Sequence, residues 1–223
     1  MKRYILTTLV LGLAATTMAQ SKGELDDRVR KLMASFDSLQ ANAQSRIPAD
    51  KLKKALGVIV MDRTKGGFIF GYEQGFGVAM VKSKGGDWSP FSFMNSHEGS
   101  FGAQIGGKNT FCVILLMNEA ARDRLTNPQV SFGGEAAGTG GSNSDGVGSN
   151  FTEDPPVIVF GTSKGLYGGA TIKGGQVAAE DKANQNYYGE YYSIKDILFE
   201  NKVKRSETAT EFAKKFEAVA KEK

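Results

Sequence analysis

The sequence predicts an α+β fold in which a glycine-rich antiparallel sheet is flanked by N- and C-terminal amphipathic helices. Short runs rich in β-branched and aromatic residues, such as Val58–Met61 and Phe76–Val81, are separated by glycines. This pattern is typical of strands joined by tight turns. Apolar residues also recur at spacings of three and four from Glu24 to Ala43 and again after Thr208, which is the period of a helix. We expect the sheet to be barrel-like or to form a sandwich.

The length of 223 residues and the 40% hydrophobic content are enough for one domain with a sizeable core. Two small domains would also fit this length, but one domain is the simpler interpretation. We expect a signal peptide over 1–19 and a single domain over 20–223. Within it, the N-terminal helices fall in 24–56, the sheet core in 57–192 and the C-terminal helices in 193–223.

The N-terminus has the pattern of a secretory signal. Lys2 and Arg3 precede the apolar run Tyr4–Ala15, and residues 17–19 end in a small residue suited to cleavage before Gln20. An uncleaved anchor is the alternative, although the run is shorter than the roughly 20 residues that span a bilayer. The expected location is therefore periplasmic or secreted, with peripheral attachment to a membrane if the protein binds lipid.

Charge and cysteine content exclude several classes of protein. The formal charge of +4 falls to +2 without Lys2 and Arg3, because residues 1–19 contain no acid. This mild balance does not predict a nucleic-acid binder, which has a dense basic patch. The single cysteine, Cys112, lies inside an apolar run and is expected in the core. One cysteine allows no internal disulfide and offers none at the cleavage site for lipid attachment.

The predicted helix from Glu24 to Ala43 has one apolar stripe and a charged opposite face. A cationic amphipathic helix can lie on an anionic membrane, whereas an ordinary one packs on the sheet with its charges in water. Packing is favoured here, because Asp26, Asp27 and Asp37 weaken attraction to anionic lipid.

A second, shorter helix is expected to begin at Pro48 and to stop at Gly57. It carries three lysines, and two more occur in the loop that follows Val81. These five are the candidates for contact with phosphate groups: Lys51, Lys53, Lys54, Lys82 and Lys84.

The sheet is expected to begin as a meander of three strands, Val58–Met61, Phe68–Tyr72 and Phe76–Val81. The third leads into the loop before Trp88, the single tryptophan. An indole on a loop suits a membrane interface, where its ring and its N–H both find partners. Anchoring of the loop against the core is the alternative, and both interpretations remain open.

Further strands are expected at Ser92–Asn95, Gly99–Ile105 and Val157–Phe160, with a glycine-rich hairpin over 166–177. Thr110–Met117 is the most apolar run after the signal segment, which predicts a central strand covered on both faces or a strand leading into 118–125.

The segment Gly133–Asn150 is rich in glycine, serine and asparagine, which predicts a loop. Part of it is similar to a calcium-binding loop, but Gly141 and Thr152 occupy positions where that motif needs acids. No metal site is predicted.

Towards the C-terminus, four tyrosines lie within Asn184–Tyr192. They fit the lining of a ligand cleft and a half-buried sheet edge equally well. A short helix capped by Ser193 follows, and Thr208 with Glu211 has the spacing of a capping box at the start of the last helix.

No catalytic machinery is predicted. The segment Gly161–Gly165 matches the G-x-S-x-G pattern around Ser163, but the sequence after it is broken by glycines and does not predict the helix that a nucleophile elbow requires. The single histidine, His97, lies upstream, and one histidine with one cysteine is too few for the usual zinc or haem ligands. We expect no enzyme activity and no cofactor.

An ordered series of motifs resembles the SYLF domain, also called the Ysc84 actin-binding or lipid-binding domain. The motifs are Ile47-Pro48, Gly57–Met61, Gly75-Phe76-Gly77, Trp88-Ser89-Pro90, the set Gly99, Gly102, Gln104, Ile105 and Gly106, and Gly165–Gly169. The resemblance covers roughly Ile47 to Leu198. It implies binding of phospholipid, and in some members actin, and it implies no catalysis. The segment 133–150 is longer than the corresponding stretch of the family.

The preferred hypothesis is a non-enzymatic lipid-binding module that contacts phospholipid or another amphiphile at a membrane surface. The five lysines would meet phosphate charge, and Trp88 would meet the interface. The alternative is a structural or protein-interaction module of the cell envelope with no specific lipid ligand. Actin is not expected as a partner, because the predicted signal directs the chain out of the cytoplasm.

Overall fold

The computed structural model describes residues 20–66, 70–101, 108–131, 156–161 and 176–222. The helices in these ranges are α1 (Lys22–Ala41), α2 (Ala49–Lys54), α3 (Glu119–Asp123), α4 (Asp181–Tyr188), α5 (Ile194–Leu198) and α6 (Glu207–Ala220). The strands are β1 (Gly57–Gly66), β2 (Phe70–Val81), β3 (Ser92–Phe101), β4 (Lys108–Leu116), β5 (Gln129–Ser131), β6 (Val157–Gly161) and β7 (Gln176–Ala179).

The seven strands form one antiparallel sheet in the order β5-β7-β3-β2-β1-β4-β6. It curls as a half-barrel. Strands β1, β2 and β3 pair as an antiparallel meander, but the three runs predicted for it occupy only β1 and, from Phe70 onward, β2. Strand β4 returns to pair with the other edge of β1. The predicted fold class is therefore confirmed.

Helices cover both faces of the sheet, and successive side chains of a strand enter opposite cores because they point in opposite directions. Val58 and Val60 enter a core shared with α1, α2, α4 and α6. Ile59 and Met61 enter a second core shared with α3 and α5. A strand buried on both faces needs a continuous apolar run. This is why β4 has the most apolar sequence, as predicted, and why Cys112 is buried within it.

Helix α1 begins with a capping box between Ser21 and Glu24. Its apolar stripe is buried, in agreement with the packing interpretation. Asp26 fastens the helix to two others: its Oδ1 accepts hydrogen bonds of 2.6 Å from the hydroxyls of Tyr187 on α4 and Thr208 on α6. The first helix is thereby joined to the last part of the chain.

The two runs predicted as separate strands on either side of Gly75 belong, from Phe70 onward, to the single strand β2. The segments predicted on either side of His97 likewise join in β3. These predictions were wrong because the glycines do not end the strand. A Cβ atom at Gly77 would meet the Val60 carbonyl oxygen, so glycine there permits close approach of two backbones.

The tyrosine-rich segment was predicted as a sheet edge or a cleft lining, and its first part is instead helix α4. Tyr187 and Tyr188 face the sheet from this helix, and the Tyr188 hydroxyl donates to the Phe91 carbonyl oxygen. Helices α3 and α4 therefore lie within the range predicted as sheet core. Helix α5 has the predicted Ser193 cap, whereas α6 is capped by Ser206 and not by Thr208.

Several predictions lie outside the described residues: the signal segment, the loop 133–150, the serine motif around Ser163 and residues 166–175 of the hairpin. Within the described ranges, no helix is both long and apolar enough to cross a membrane.

Candidate binding site at the β2–β3 loop

Lys82, the first residue after β2, binds the C-terminal end of α2. Its Nζ donates to the carbonyl oxygens of Leu52, at 3.2 Å, and Lys53, at 2.9 Å. Its backbone N–H donates to the Leu56 carbonyl oxygen at 2.8 Å. The last carbonyls of a helix carry partial negative charge and attract cations. Lys82 therefore holds the β2–β3 loop against α2.

This role removes Lys82 from the set of free cations. Burial lowers the pKa of its ammonium, and the nearby carboxylate of Glu217 opposes that shift. An ammonium that is half-buried and bonded to two carbonyls has little capacity left for an external phosphate. Lys82 was predicted to contact a ligand, and in this structure its ammonium instead holds the loop on α2.

The other four predicted lysines form what we call the basic surface: Lys51, Lys53, Lys54 and Lys84. The contact made by Lys82 brings their two segments, α2 and the loop, to the same end of the sheet. Lys51 Nζ lies 3.8 Å from the Asp50 carboxylate. The side chains of Lys53, Lys54 and Lys84 are exposed, and none makes an ion pair within the described part of the chain.

Trp88 is 2% exposed. Its ring lies 5.2 Å from that of Phe216 on α6, and the Lys82 ammonium lies 4.8 Å from its centre. The indole therefore contacts the core and a structural cation, as in the anchoring interpretation. A buried ring is not available for insertion at an interface unless the loop rearranges.

Ser89 has a structural role in the Trp88-Ser89-Pro90 motif. Its Oγ accepts from the Val81 N–H at 3.1 Å and donates to the Pro90 carbonyl oxygen at 2.6 Å. Its backbone N–H donates to the Val81 carbonyl oxygen at 2.8 Å. Gly86 turns the loop with a φ of 89°, a conformation that favours glycine. The motif thus closes the loop.

On its other side, the loop borders a cavity of about 530 Å³. The remaining walls come from α3, from the end of α5 with the turn after it, and from the segment that leads into α6. Two arginines line it, Arg122 from α3 and Arg205 from before α6, together with Lys82, Lys84 and one acid, Asp87. The sequence analysis did not identify either arginine.

The cations of the cavity differ in their partners. Arg122 is 15% exposed and pairs with Asp123 at 2.8 Å and more loosely with Glu119 at 3.9 Å. Arg205 is half-buried and makes no ion pair within the described residues. Lys84 is also unpaired there, so two of the cations that line the cavity have their charge uncompensated.

The described residues around the cavity do not meet the usual requirements of a metal site. Among the described residues, no cluster of three or more histidine, cysteine, aspartate or glutamate side chains is placed to hold a metal ion. The cations around the loop can attract an anion, and the cavity can hold it. This arrangement is suited to binding a ligand.

Sequence comparison agrees with the resemblance drawn from the motifs. Residues 97–219 match the family model described as "Ysc84: Las17-binding protein actin regulator". The matched region runs from β3 to the end of α6 and so includes Arg122 and Arg205, whereas the basic surface lies before it.

Curated relatives match over more of the chain. An SH3 domain-containing protein of Schizosaccharomyces pombe is 31% identical over 75% of this chain and 41% of its own length. LAS seventeen-binding protein 3 of Saccharomyces cerevisiae is 29% identical over 77% of this chain and 39% of its own. SH3 domain-containing YSC84-like protein 1 of Xenopus laevis is 26% identical over 73% of this chain and 50% of its own length.

The chain thus spans half or less of the length of these three relatives. No solved structure matches it significantly. The family model covers more than half of the chain, and the ordered motifs extend the similarity towards the N-terminus. The chain therefore belongs to the Ysc84 (SYLF) family.

Proposed function

We propose that this protein is a non-catalytic binding module that attaches to anionic phospholipid membranes through its basic surface. The observation that carries the proposal is the exposed, unpaired state of Lys53, Lys54 and Lys84 at one end of the sheet. Surface lysines near an anionic leaflet contribute about 1 kcal/mol each. Three such residues acting together contribute about 3 kcal/mol, or about two orders of magnitude in affinity.

Co-sedimentation with vesicles tests this proposal. The full chain is mixed with vesicles of phosphatidylcholine alone or with one-third phosphatidylserine. We expect binding only to the second kind, and about a hundredfold loss when Lys53, Lys54 and Lys84 are all changed to glutamine.

A matched control removes the same charge elsewhere. Lys22 and Lys31 on α1 and Lys182 on α4 are exposed and also make no ion pair within the described residues. Changing these three to glutamine should leave most of the binding. Equal losses in the two triple variants would show that net charge, and not the basic surface, attracts the protein. Equal failure of the unmodified protein with both kinds of vesicle would refute the proposal.

A second candidate is a protein-interaction module, with lipid contact incidental. The names of the relatives favour it, since one is called a LAS seventeen-binding protein and others carry an SH3 domain. For this chain we place such a partner in the cell envelope. Retention of a specific envelope protein by the immobilised chain after detergent washing, unaffected by the triple lysine change, would favour this candidate.

Export is part of the proposal and rests on the N-terminal sequence. N-terminal sequencing of the protein from a periplasmic or extracellular fraction should begin at Gln20. The family model describes an actin regulator, but an exported chain would not meet actin. Recovery of the uncleaved chain in the cytoplasm would contradict this part and bring actin back as a partner to be tested by filament co-sedimentation.

A further inference from the structure

We propose that the cavity bordered by the β2–β3 loop, α3 and the segment before α6 is a binding site for a phosphate group. Its ligand is the phosphate ester of a lipid headgroup or of a soluble small molecule. The lipid alternative rests on the proposed function, whereas the soluble one does not. The residues that would hold the phosphate are Arg122, Arg205 and Lys84.

The first argument is convergence. The three cations come from three separate segments, α3, the approach to α6 and the β2–β3 loop, yet all line one cavity. A planar guanidinium presents donors that match the oxygens of a phosphate, and a lysine ammonium adds a point charge. A phosphate ester carries up to two negative charges and several acceptor oxygens, so it fits such a set better than a single carboxylate does.

The second argument is the state of Arg205. The two acids that precede it, Asp196 and Glu200, are already engaged: Lys202 lies 2.6 Å from Asp196, and Lys195 lies 2.9 Å from Glu200. Arg205 is left half-buried without a carboxylate partner among the described residues. A half-buried guanidinium without a partner carries a free-energy cost, and a bound external anion would offset that cost.

The third argument is the balance of charge. Lys82 is directed to the carbonyls of α2, and Arg122 is offset by the acids beside it. Among the residues that line the cavity, Asp87 supplies one negative charge against the remaining positive charges of Lys84 and Arg205. The cavity therefore keeps a net positive charge that an anion would neutralise.

Size and lining are consistent with a headgroup or a small metabolite. A volume of about 530 Å³ falls within the range of 300–1,000 Å³ that is usual for small-molecule sites. Ser83 and Asn201 add polar groups, and Leu198 and Phe199 form an apolar wall beside them. That wall would contact the carbon skeleton of an ester, which inorganic phosphate lacks.

The test compares Arg205→Gln with Lys31→Gln, which removes one positive charge from α1, a helix that contributes nothing to the cavity. Circular dichroism first checks that both variants fold. Isothermal titration calorimetry at low salt then measures binding of glycerol 3-phosphate to the full chain. Co-sedimentation measures binding to phosphatidylcholine vesicles with and without one-fifth phosphatidic acid, whose phosphate is a monoester.

We expect Arg205→Gln to weaken binding about tenfold in at least one arm, and Lys31→Gln to leave it within about twofold. Loss confined to calorimetry identifies a soluble phosphate ester, and loss in the vesicle arm identifies a lipid headgroup. No binding in either arm, or equal effects of the two variants, would overturn the site. If the basic-surface variant of Lys53, Lys54 and Lys84 abolishes vesicle binding while Arg205→Gln does not, and calorimetry shows no binding, the proposed function stands and the cavity site fails.

Discussion

Lys82 and Trp88 pair across the base of the β2–β3 loop, with the ammonium 4.8 Å from the centre of the indole ring. The same ammonium bonds the last carbonyls of α2, and the same ring packs on Phe216 of α6. Two residues expected to meet a ligand thus meet each other. Together they join the loop to two helices, and this joint positions both the basic surface and the cavity.

The first prediction separates the structural lysine from the exposed one. Lys82→Gln should lower the free energy of unfolding by about 2 kcal/mol, because it removes charge-assisted hydrogen bonds and the contact with the ring. Lys84→Gln should change it by less than about 0.5 kcal/mol, since Lys84 is exposed and unpaired within the described residues. Urea denaturation followed by circular dichroism measures both values. Similar values for the two variants would contradict the role assigned to Lys82.

The second prediction concerns Trp88, which is the single tryptophan and therefore a specific fluorescent reporter. Because the ring is buried, acrylamide should quench it weakly, and anionic vesicles should not change that quenching. A Trp88→Phe, Tyr191→Trp variant supplies an exposed reference, since Tyr191 is 61% exposed. A shift in the emission of Trp88 when vesicles are added would mean that the loop opens and that the indole enters the interface.

The third prediction is a pH dependence that arises from Tyr188. Burial, reinforced by the neighbouring Tyr187 and by the Asp26 carboxylate, raises the pKa of its hydroxyl in the folded state above the unfolded value of about 10. A raised tyrosine pKa favours the folded state below the unfolded pKa, and this stabilisation is lost as the pH rises above that value. Stability should therefore fall at pH above about 10, and less so in Tyr188→Phe.

At neutral pH, Tyr188→Phe should cost about 1 kcal/mol, because the Phe91 carbonyl oxygen loses its donor. Tyr191→Phe is the control, since its ring is exposed. Unfolding free energies measured at neutral and alkaline pH give both comparisons. An alkaline decline that is identical in wild type and Tyr188→Phe would assign it to another group.

The fourth prediction tests why the sheet needs glycine at position 77. A methyl group there would meet the Val60 carbonyl oxygen and lie 3.0 Å from Met61 Cα, and both are backbone atoms that cannot turn aside. Gly77→Ala should therefore destabilise the fold by about 3 kcal/mol.

Gly23 provides the matched control for this substitution. It lies on α1 with no atom within 4 Å of an added Cβ, so Gly23→Ala should stabilise by about 0.5 kcal/mol. Denaturation midpoints measure both effects. A neutral Gly77→Ala would mean that β1 and β2 separate easily at this point.

The sheet and its doubly covered strand β4 follow from local pattern alone. The run 110–117 is apolar on both faces, and such a run has few solutions other than a strand between two layers. The ends of strands were predicted less well, because Gly75 looks like a turn residue in sequence. In the structure it lies within β2, where an added Cβ would meet Ser96 Oγ. Glycine at this position is required by close packing between β2 and β3, which cannot be recognised from local sequence.

The candidate site was predicted only in part, since the contacts of its residues are with residues distant in the sequence. The partners of Lys82 lie 29 and 30 residues earlier in the chain. Arg205 reaches the cavity from far beyond the loop that it faces. The basic sequence from Lys202 to Arg205 was visible as a short charged cluster. That Lys202 pairs with Asp196 and Glu200, while Arg205 has no ion pair among the described residues, is a property of the tertiary structure.

The attachment of α1 to α6 bears on how the molecule assembles. Phe216 packs on both Phe36 and Trp88, and Thr208 holds Asp26, so the final 14-residue helix completes the core begun by the first one. In a nascent chain that still lacks this helix, the rings of Phe36 and Trp88 would not be covered by Phe216. We therefore expect the core to close only once the last segment has been synthesised, and a chain truncated before α6 to aggregate rather than to form a smaller folded protein.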